Sequence, residues 1–169
     1  MVVLRATRKV LRLLPPSSGD EVPSGAALGD WYLNRFVVDH RPLLLIVSST
    51  SLLAILTHAR DVRNLPLRIQ SLVAERLVRL GIAQHLIDAE VAAMHPVHVG
   101  PARDRSVLGS LVQFAKDTSF YLPIRDWDDL SLLEVEDRLA ETPWRTSSRV
   151  ENTIFPNLAV PRLLQAKWA

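Results

Sequence analysis

The sequence predicts a single α+β domain in which a small, mainly antiparallel sheet packs with about four helices. Three observations support this prediction. Two apolar and β-branched runs flank a short polar turn, amphipathic stretches recur at helical spacing, and 48% of the 169 residues are hydrophobic. A chain of this length buries enough surface to fold without cross-links, and it contains no cysteine. Disulfides, thiolate metal sites and cysteine nucleophiles are therefore excluded.

The first 30 residues predict a strand, a short helix and a loop. Residues 2–4 are β-rich, and Thr7 stands at the N-cap position before a helix over residues 8–14. Pro15 and Pro16 end that helix. Residues 15–29 contain three Pro, three Ser and three Gly, which is typical of a surface loop.

Residues 31–38 and 43–47 predict a β-hairpin around a polar turn at residues 39–42. The second run is apolar without alternation, so we expect a central strand that is covered on both faces. Residues 52–57 form a third run, for which periodicity leaves strand and helix open.

Four longer helices follow. Pro66 begins the first, which Gly81 ends, and residues 82–94 predict the second. Asp104 or Ser106 caps the third, which runs to about residue 122, after a short strand at residues 97–99. Ser131 and Glu134 have the spacing of a capping box for the fourth, which runs to about residue 141.

The domain is predicted to span residues 1–142, followed by a Pro-containing tail over residues 143–169 that Pro156 and Pro161 divide. The tail carries too many apolar side chains to remain fully exposed to water, so we expect part of it to dock on the domain. Its candidate interaction residues are Phe155, Leu163, Leu164 and Trp168.

Charge is unevenly distributed along the chain. The net charge is +2, yet residues 1–79 hold 11 basic and 6 acidic side chains, whereas residues 80–169 hold 9 and 12. A basic face could attract an anion or a nucleic acid, with Trp31 as a stacking surface. The alternative is that the aromatic residues are core and the arginines solvated. The candidate contacts are Arg5, Arg8, Arg12, Arg35, Arg41 and Trp31.

Motifs for chemistry are scarce. There is no Walker loop, no GxGxxG, no HExxH and no nucleophile elbow. His95 and His98 would point to opposite faces of a strand, so we expect no metal and no cofactor. Asp30, Asp39, His40 and His58 lie in or beside the hairpin and would form a hydrolytic site only if they met at one pocket.

No membrane span is expected. The most apolar stretch, residues 43–56, has 14 residues with four Ser or Thr inside it, whereas a spanning helix needs about 20. We therefore expect a cytoplasmic protein.

Two segments carry a family resemblance. Residues 28–32 read LGDWY and residues 105–111 read RSVLGSL, and the basic stretch at residues 3–9 precedes them. Over about residues 1–140 the chain resembles a family of small bacterial proteins known as a domain of unknown function. Members of that family often have Asn and an acidic residue before the Phe, where Val112 and Gln113 stand here. The resemblance implies no activity.

These observations favour a non-enzymatic interaction module that recognises another protein, or a second copy of itself, through the hairpin edge and the tail. A nucleic-acid-binding protein that uses the arginines of the first half is the alternative hypothesis. A hydrolase built on Asp30, His40 or His58 is the second alternative.

Overall fold

The structure is a computed structural model that describes residues 1–145 and 153–169. Residues 146–152 of the predicted tail lie outside the described residues. A five-stranded sheet runs through the centre of the domain, in the order β4-β3-β2-β1-β5. Its strands are β1 Val2–Ala6, β2 Trp31–Val38, β3 Arg41–Ser48, β4 Ala54–His58 and β5 Val97–Pro101. A separate two-stranded ribbon consists of β6 Trp144–Arg145 and β7 Thr153–Ile154.

The sheet is mixed. β2, β3 and β4 form the antiparallel part, and the predicted hairpin is confirmed by the pairing of Trp31 with Ser48 through to Val38 with Arg41. β1 lies between β2 and β5 and runs parallel to both. The α+β class and the single domain are confirmed. Parallel and antiparallel pairings are more evenly balanced than predicted, because β1 pairs in parallel with two strands that are reached by long connections, residues 7–30 before β2 and residues 59–96 before β5.

Helices cover both faces of this sheet. They are α1 Arg8–Leu11, α2 Leu65–Arg79, α3 Gln84–Ala93, α4 Arg105–Tyr121, α5 Asp129–Glu141 and α6 Pro156–Trp168, with a 3-10 helix at Ala59–Asn64. Side chains of α1, α2, α3 and α6 pack in one core layer, and those of α4 and α5 pack in the other. The continuous apolar run of β3 explains its double burial. Leu44 and Ile46 face the first layer, whereas Leu43 and Leu45 face the second.

Two predicted helix boundaries are corrected. The capping box of α5 consists of Asp128 and Ser131, one turn before the predicted pair. Asp128 accepts from the Ser131 amide at 2.9 Å, and Ser131 Oγ accepts from the Asp128 amide at 3.1 Å. Ser131 therefore occupies the third position of the helix instead of its cap. Pro161 does not divide the C-terminal segment, since it lies inside α6.

The residues of α6 pack into the first core layer. Val160 and Leu164 are fully buried there. Trp168 Nε1 donates to Glu90 of α3 at 2.8 Å. The buried Glu90 carboxylate also accepts the backbone N–H groups of Ala27 and Leu28, at 2.8 and 2.9 Å. One side chain thus fixes both α6 and the end of the loop that precedes β2.

Both edges of the sheet are covered by the chain itself. At the β5 edge, Ser17 donates its N–H to the Val99 carbonyl and accepts the Val99 N–H on Oγ, each at 2.9 Å. At the β4 edge, Glu136 Oε1 accepts the Leu56 N–H at 2.7 Å. The predicted hairpin edge is not an edge, because β2 and β3 are interior strands. A partner strand cannot pair at Val99 or Leu56 without displacing these groups.

Candidate anion-binding cleft

A cleft of about 550 Å³ opens at one end of the sheet. Its walls come from the β2–β3 turn, the end of β4, the 3-10 helix and the segment after α1. Asp39 and His40 build that turn with positive φ angles of 50° and 61°, the conformation of a tight two-residue hairpin. The turn and the 3-10 helix therefore face each other across the opening.

Positive charge is concentrated in this cleft. None of the ten described residues that line it is acidic, although the chain has 18 Asp and Glu residues. The apolar part of the lining includes Leu13, Ala59 and Val62. The lining cations and imidazoles are Arg35, Arg41, Arg60, Arg63, His40 and His58.

Arg41 is held in place by a tryptophan. Its guanidinium stacks 4.2 Å from the centre of the Trp127 ring and donates to the Trp127 carbonyl at 2.7 Å. The ring is fixed in turn, because Trp127 Nε1 donates to Asp39 Oδ2 at 2.9 Å. Arg41 therefore presents its remaining donors from a preorganised position.

The other cleft arginines make few internal ion pairs. Among residues 1–145 and 153–169, no carboxylate lies within 4.0 Å of the guanidinium of Arg35 or Arg63. Arg60 lies 3.9 Å from Asp61, which pairs more closely with Arg68 at 3.4 Å. Arg35 and Arg63 therefore keep their donors for a ligand or water.

One histidine of the cleft has a carboxylate partner. His58 Nε2 lies 2.7 Å from Oδ1 of Asp129, the first residue of α5. The His58 side chain is 27% exposed, whereas that of Asp129 is 84% exposed. His40 lines the cleft from the opposite turn and is exposed. Both histidines of the hydrolase hypothesis thus reach the same cleft.

Asp30 does not join them. It accepts the Val3 N–H at 2.9 Å and pairs with Arg5 at 3.0 Å, at the other end of β2. His58 pairs with Leu43, which pairs with Phe36, so about five strand residues, or roughly 17 Å, separate the two ends. Asp30 is therefore too far from His40 and His58 to form a hydrolytic site with them, and the other acidic candidate, Asp39, accepts from Trp127 Nε1.

The predicted arginine patch is divided. Arg35 and Arg41 line the cleft, whereas Arg5 pairs with Asp30 and with Glu21 at 2.7 Å. Arg8 and Arg12 are exposed on and just after α1. Trp31 is fully buried, so its ring offers no surface for a base. The interpretation of Trp31 as a stacking residue is corrected by its place in the core.

The candidate interaction residues of the tail are also divided. Leu164 is fully buried, Leu163 packs against the same core layer, and Trp168 is bonded to Glu90. Phe155 remains 40% exposed. Most of the apolar surface that the sequence assigned to a partner is used within the chain, because α6 docks on α3 and α5.

A second arginine cluster is buried between α2 and α5. Arg76 is 2% exposed and donates to Asp137 Oδ1 at 3.0 Å and to the Glu136 carbonyl at 3.1 Å. Arg79 pairs with the Glu136 carboxylate. Burial raises the pKa of Glu136 to about 7, against the opposing effect of the Leu56 N–H and the two arginines. Burial likewise lowers the pKa of Arg76. The guanidinium groups and carboxylates of this cluster pair with one another, although the buried Nε of Arg76 has no hydrogen-bond partner among the described residues and lies 3.7 Å from Glu136 Oε2.

Sequence reasoning missed two residues that shape the cleft, Trp127 and Asp129. They lie 86 and 71 residues from Arg41 and His58, their partners, and nothing in the local pattern links them. Arg60 and Arg63 belong to the basic first half of the chain, but their spacing alone does not show that they meet Arg35. Within the described ranges, no group of three or more metal-binding side chains occurs, and no helix is long and apolar enough to cross a membrane.

Comparison with known proteins identifies the family. The model of a domain of unknown function, DUF6933, matches residues 3–159. The chain belongs to this family. The match includes the LGDWY and RSVLGSL segments and continues past residue 143 into α6. No curated protein and no solved structure matches the chain.

Proposed function

We propose that this DUF6933 protein is a binding protein that recognises an anionic ligand in the arginine-lined cleft. The observation that carries the proposal is the composition of the lining, in which four arginines and two histidines are present and no lining residue is acidic. Of these six, His58 has a carboxylate partner in Asp129, and Arg60 lies 3.9 Å from Asp61. Arg5 and Arg76 are paired with acids, whereas Arg35, Arg41 and Arg63 have no carboxylate within 4.0 Å among the described residues. These three arginines of the cleft are therefore available to an external anion.

The arrangement suits an oxyanion with an apolar part. A guanidinium offers a planar fork of N–H donors that matches phosphate or carboxylate oxygens. Arg41 requires little reorganisation on binding, because Trp127 already holds it. Leu13, Ala59 and Val62 provide apolar surface beside the charges, and about 550 Å³ is within the usual range for small-molecule sites.

A small ligand fits these observations better than a nucleic acid. Binding of single strands combines a cationic groove with stacked aromatic rings. Trp31 and Tyr32 are buried, and Arg5 is engaged by two carboxylates. Of the candidate cations that remain, Arg35 and Arg41 lie in one bounded cleft, whereas Arg8 and Arg12 are exposed outside it.

The protein-interaction hypothesis is retained in a narrower form. The hairpin is interior and α6 is docked, so neither offers the surface that this hypothesis first assumed. The apolar residues that remain for such an interaction are Phe155 and Leu158 at the start of α6, which are 40% and 66% exposed. We expect Phe155→Ser with Leu158→Ser to reduce self-association in light scattering if this surface joins two copies. A monomer before and after the change would remove this candidate.

Calorimetric titration at low ionic strength tests the anion proposal. We expect inorganic phosphate to bind the full chain, and Arg35→Ala with Arg63→Ala to weaken binding at least tenfold, because each lost charge-assisted bond is worth about 1.5 kcal/mol or more.

The matched control is Arg8→Ala with Arg105→Ala, which removes the same charge from exposed positions outside the cleft. An equal loss of affinity in both double variants would show a general charge effect and contradict the proposal. Binding of a single-stranded oligonucleotide that only the control pair weakens would favour the nucleic-acid hypothesis.

A further inference from the structure

His58 differs from the other cationic groups around the cleft. Arginine has five N–H donors and no acceptor, so Arg35, Arg41, Arg60 and Arg63 bind any oxyanion with little regard to its protonation. Imidazole, by contrast, has one donor and one acceptor when it is neutral. His58 lines the same cleft. Its neutral ring can therefore accept a hydrogen bond there, which the arginines cannot do.

Asp129 fixes which nitrogen is the acceptor. The carboxylate accepts from Nε2 at 2.7 Å, so the proton of the neutral ring is held on Nε2. Nδ1 then carries the lone pair. Among the residues that the structure describes, Nδ1 of His58 has no hydrogen-bond partner. The ring thus carries an unpartnered hydrogen-bond acceptor, on a residue that lines a cleft whose arginines supply only donors.

We propose that the cleft selects an anion that carries its own O–H donor, of which hydrogen phosphate is the simplest member, and that His58 is the residue that determines this specificity. The inference rests on the proposed anion-binding function. In the bound state the guanidinium groups donate to the bare oxygens of the anion, and the anion's O–H donates to Nδ1 of His58.

An anion without a proton is disfavoured for a physical reason. Sulfate and methyl phosphate have nearly the same tetrahedral head and the same charge as hydrogen phosphate. With either of them, an oxygen lone pair would face the lone pair of Nδ1, and both acceptors would lose their bonds to water without replacement. Such a mismatch is worth about a factor of ten or more in affinity.

Asp129→Asn tests the role of the His58–Asp129 pair. A side-chain amide accepts from Nε2–H or donates to a bare Nε2, so the variant no longer imposes one form of the ring. Asp129 is exposed and Asp128 caps α5, so we expect the fold to persist, with the urea midpoint as the check. Asp129→Ala is the second variant, in which no group orients the ring.

The titrations compare sodium phosphate, sodium sulfate and methyl phosphate at about pH 8. This pH lies above the ordinary histidine pKa of about 6.5, and phosphate is then mostly hydrogen phosphate. We expect the wild-type protein to bind phosphate at least tenfold more tightly than the other two anions. In Asp129→Asn and Asp129→Ala we expect this ratio to fall to about threefold or less.

His40→Asn is the matched control, because it changes the other histidine of the cleft at a positive φ angle that Asn tolerates. We expect the control to keep the tenfold ratio. Equal wild-type affinities for the three anions would overturn this inference and leave the anion-binding function in place. A ratio that survives both Asp129 variants, or disappears in His40→Asn, would also overturn it. If none of the three anions binds, the proposed function itself fails.

Discussion

Two arginine clusters of this protein have the same side chains and opposite surroundings. Between α2 and α5, Arg76 and Arg79 meet Glu136 and Asp137; Arg76 and Glu136 are buried there, whereas Arg79 and Asp137 reach the surface. At the end of the sheet, Arg35 and Arg63 line an open cleft, and no carboxylate of the described residues lies within 4.0 Å of either guanidinium. The first cluster holds two helices together, whereas the second leaves donors for a ligand.

The difference shows that the role of an arginine is set by the carboxylates that the fold brings to it. A residue count treats the 20 basic side chains alike. The partners of Arg76 lie about 60 residues away, and no local pattern identifies them. Substitutions in the cluster between α2 and α5 should therefore alter the stability of the fold, whereas substitutions in the cleft should alter ligand binding.

The largest expected effect is on the free energy of unfolding, after a substitution in the buried cluster between α2 and α5. Arg76→Ala removes two hydrogen bonds and leaves the buried Glu136 carboxylate with one fewer cation. Removal of one partner from a buried ion pair costs about 3–5 kcal/mol. We expect a loss of this size in the free energy of unfolding, measured by urea denaturation. Arg68→Ala, at an exposed pair with Asp61, is the control, and a similar loss there would break the comparison.

A pH dependence should accompany the buried cluster. Burial raises the pKa of Glu136 to about 7 in the folded protein, from an ordinary value of about 4.5. The folded state then binds more protons than the unfolded state between these values, so stability should fall as pH rises through this window. We expect the wild-type protein to lose about 3 kcal/mol relative to Glu136→Gln between pH 5 and 8. Parallel stability curves would show that Glu136 is ionised throughout.

In the cleft, the same kind of substitution should leave stability unchanged. Arg35→Ala and Arg63→Ala break no ion pair among the described residues and remove like charges from a shared wall. We expect each to change the free energy of unfolding by less than about 0.5 kcal/mol, in either direction. A loss above about 2 kcal/mol in the urea midpoint analysis would show that these side chains are structural.

The smallest expected effect is a difference between the two arginine clusters in their response to salt. Charges in the open cleft are screened over a distance of about 10 Å at 0.1 M salt and about 3 Å at 1 M, whereas buried pairs are screened much less. We expect the affinity for phosphate to fall several-fold when sodium chloride is raised through this range. The stability difference between the wild-type protein and Arg76→Ala should stay nearly constant over the same range. A large salt dependence of that difference would indicate that water reaches the buried cluster.

Local signals predicted most of the secondary structure. The apolar run of β3, the Pro at the start of α2 and Gly81 after it gave elements close to those observed. Errors arose where two local signals compete. Asp128 and Ser131 both suit an N-cap, and α5 begins at the earlier one because Ser131 then completes the box from the third position.

Long-range arrangement accounts for what the sequence did not reveal. The parallel insertion of β1 between β2 and β5 depends on pairings about 27 and 95 residues apart. The same is true of the cleft, in which Arg35 and Arg41 were candidates on charge alone. Trp127 and Asp129, which position Arg41 and His58, come from the start of another helix. Neither carries a motif that distinguishes it from a core tryptophan or a cap residue.

The three hydrogen bonds that Glu90 accepts also bear on the order in which the chain folds during its synthesis. Glu90 needs both the loop at Ala27 and Leu28 and the indole of Trp168 to satisfy its carboxylate. The first half of the sheet can therefore be synthesised long before the layer above it closes. A chain in which α6 has not yet docked exposes the apolar positions that Val160 and Leu164 later cover, and exposed apolar surface of this kind favours aggregation.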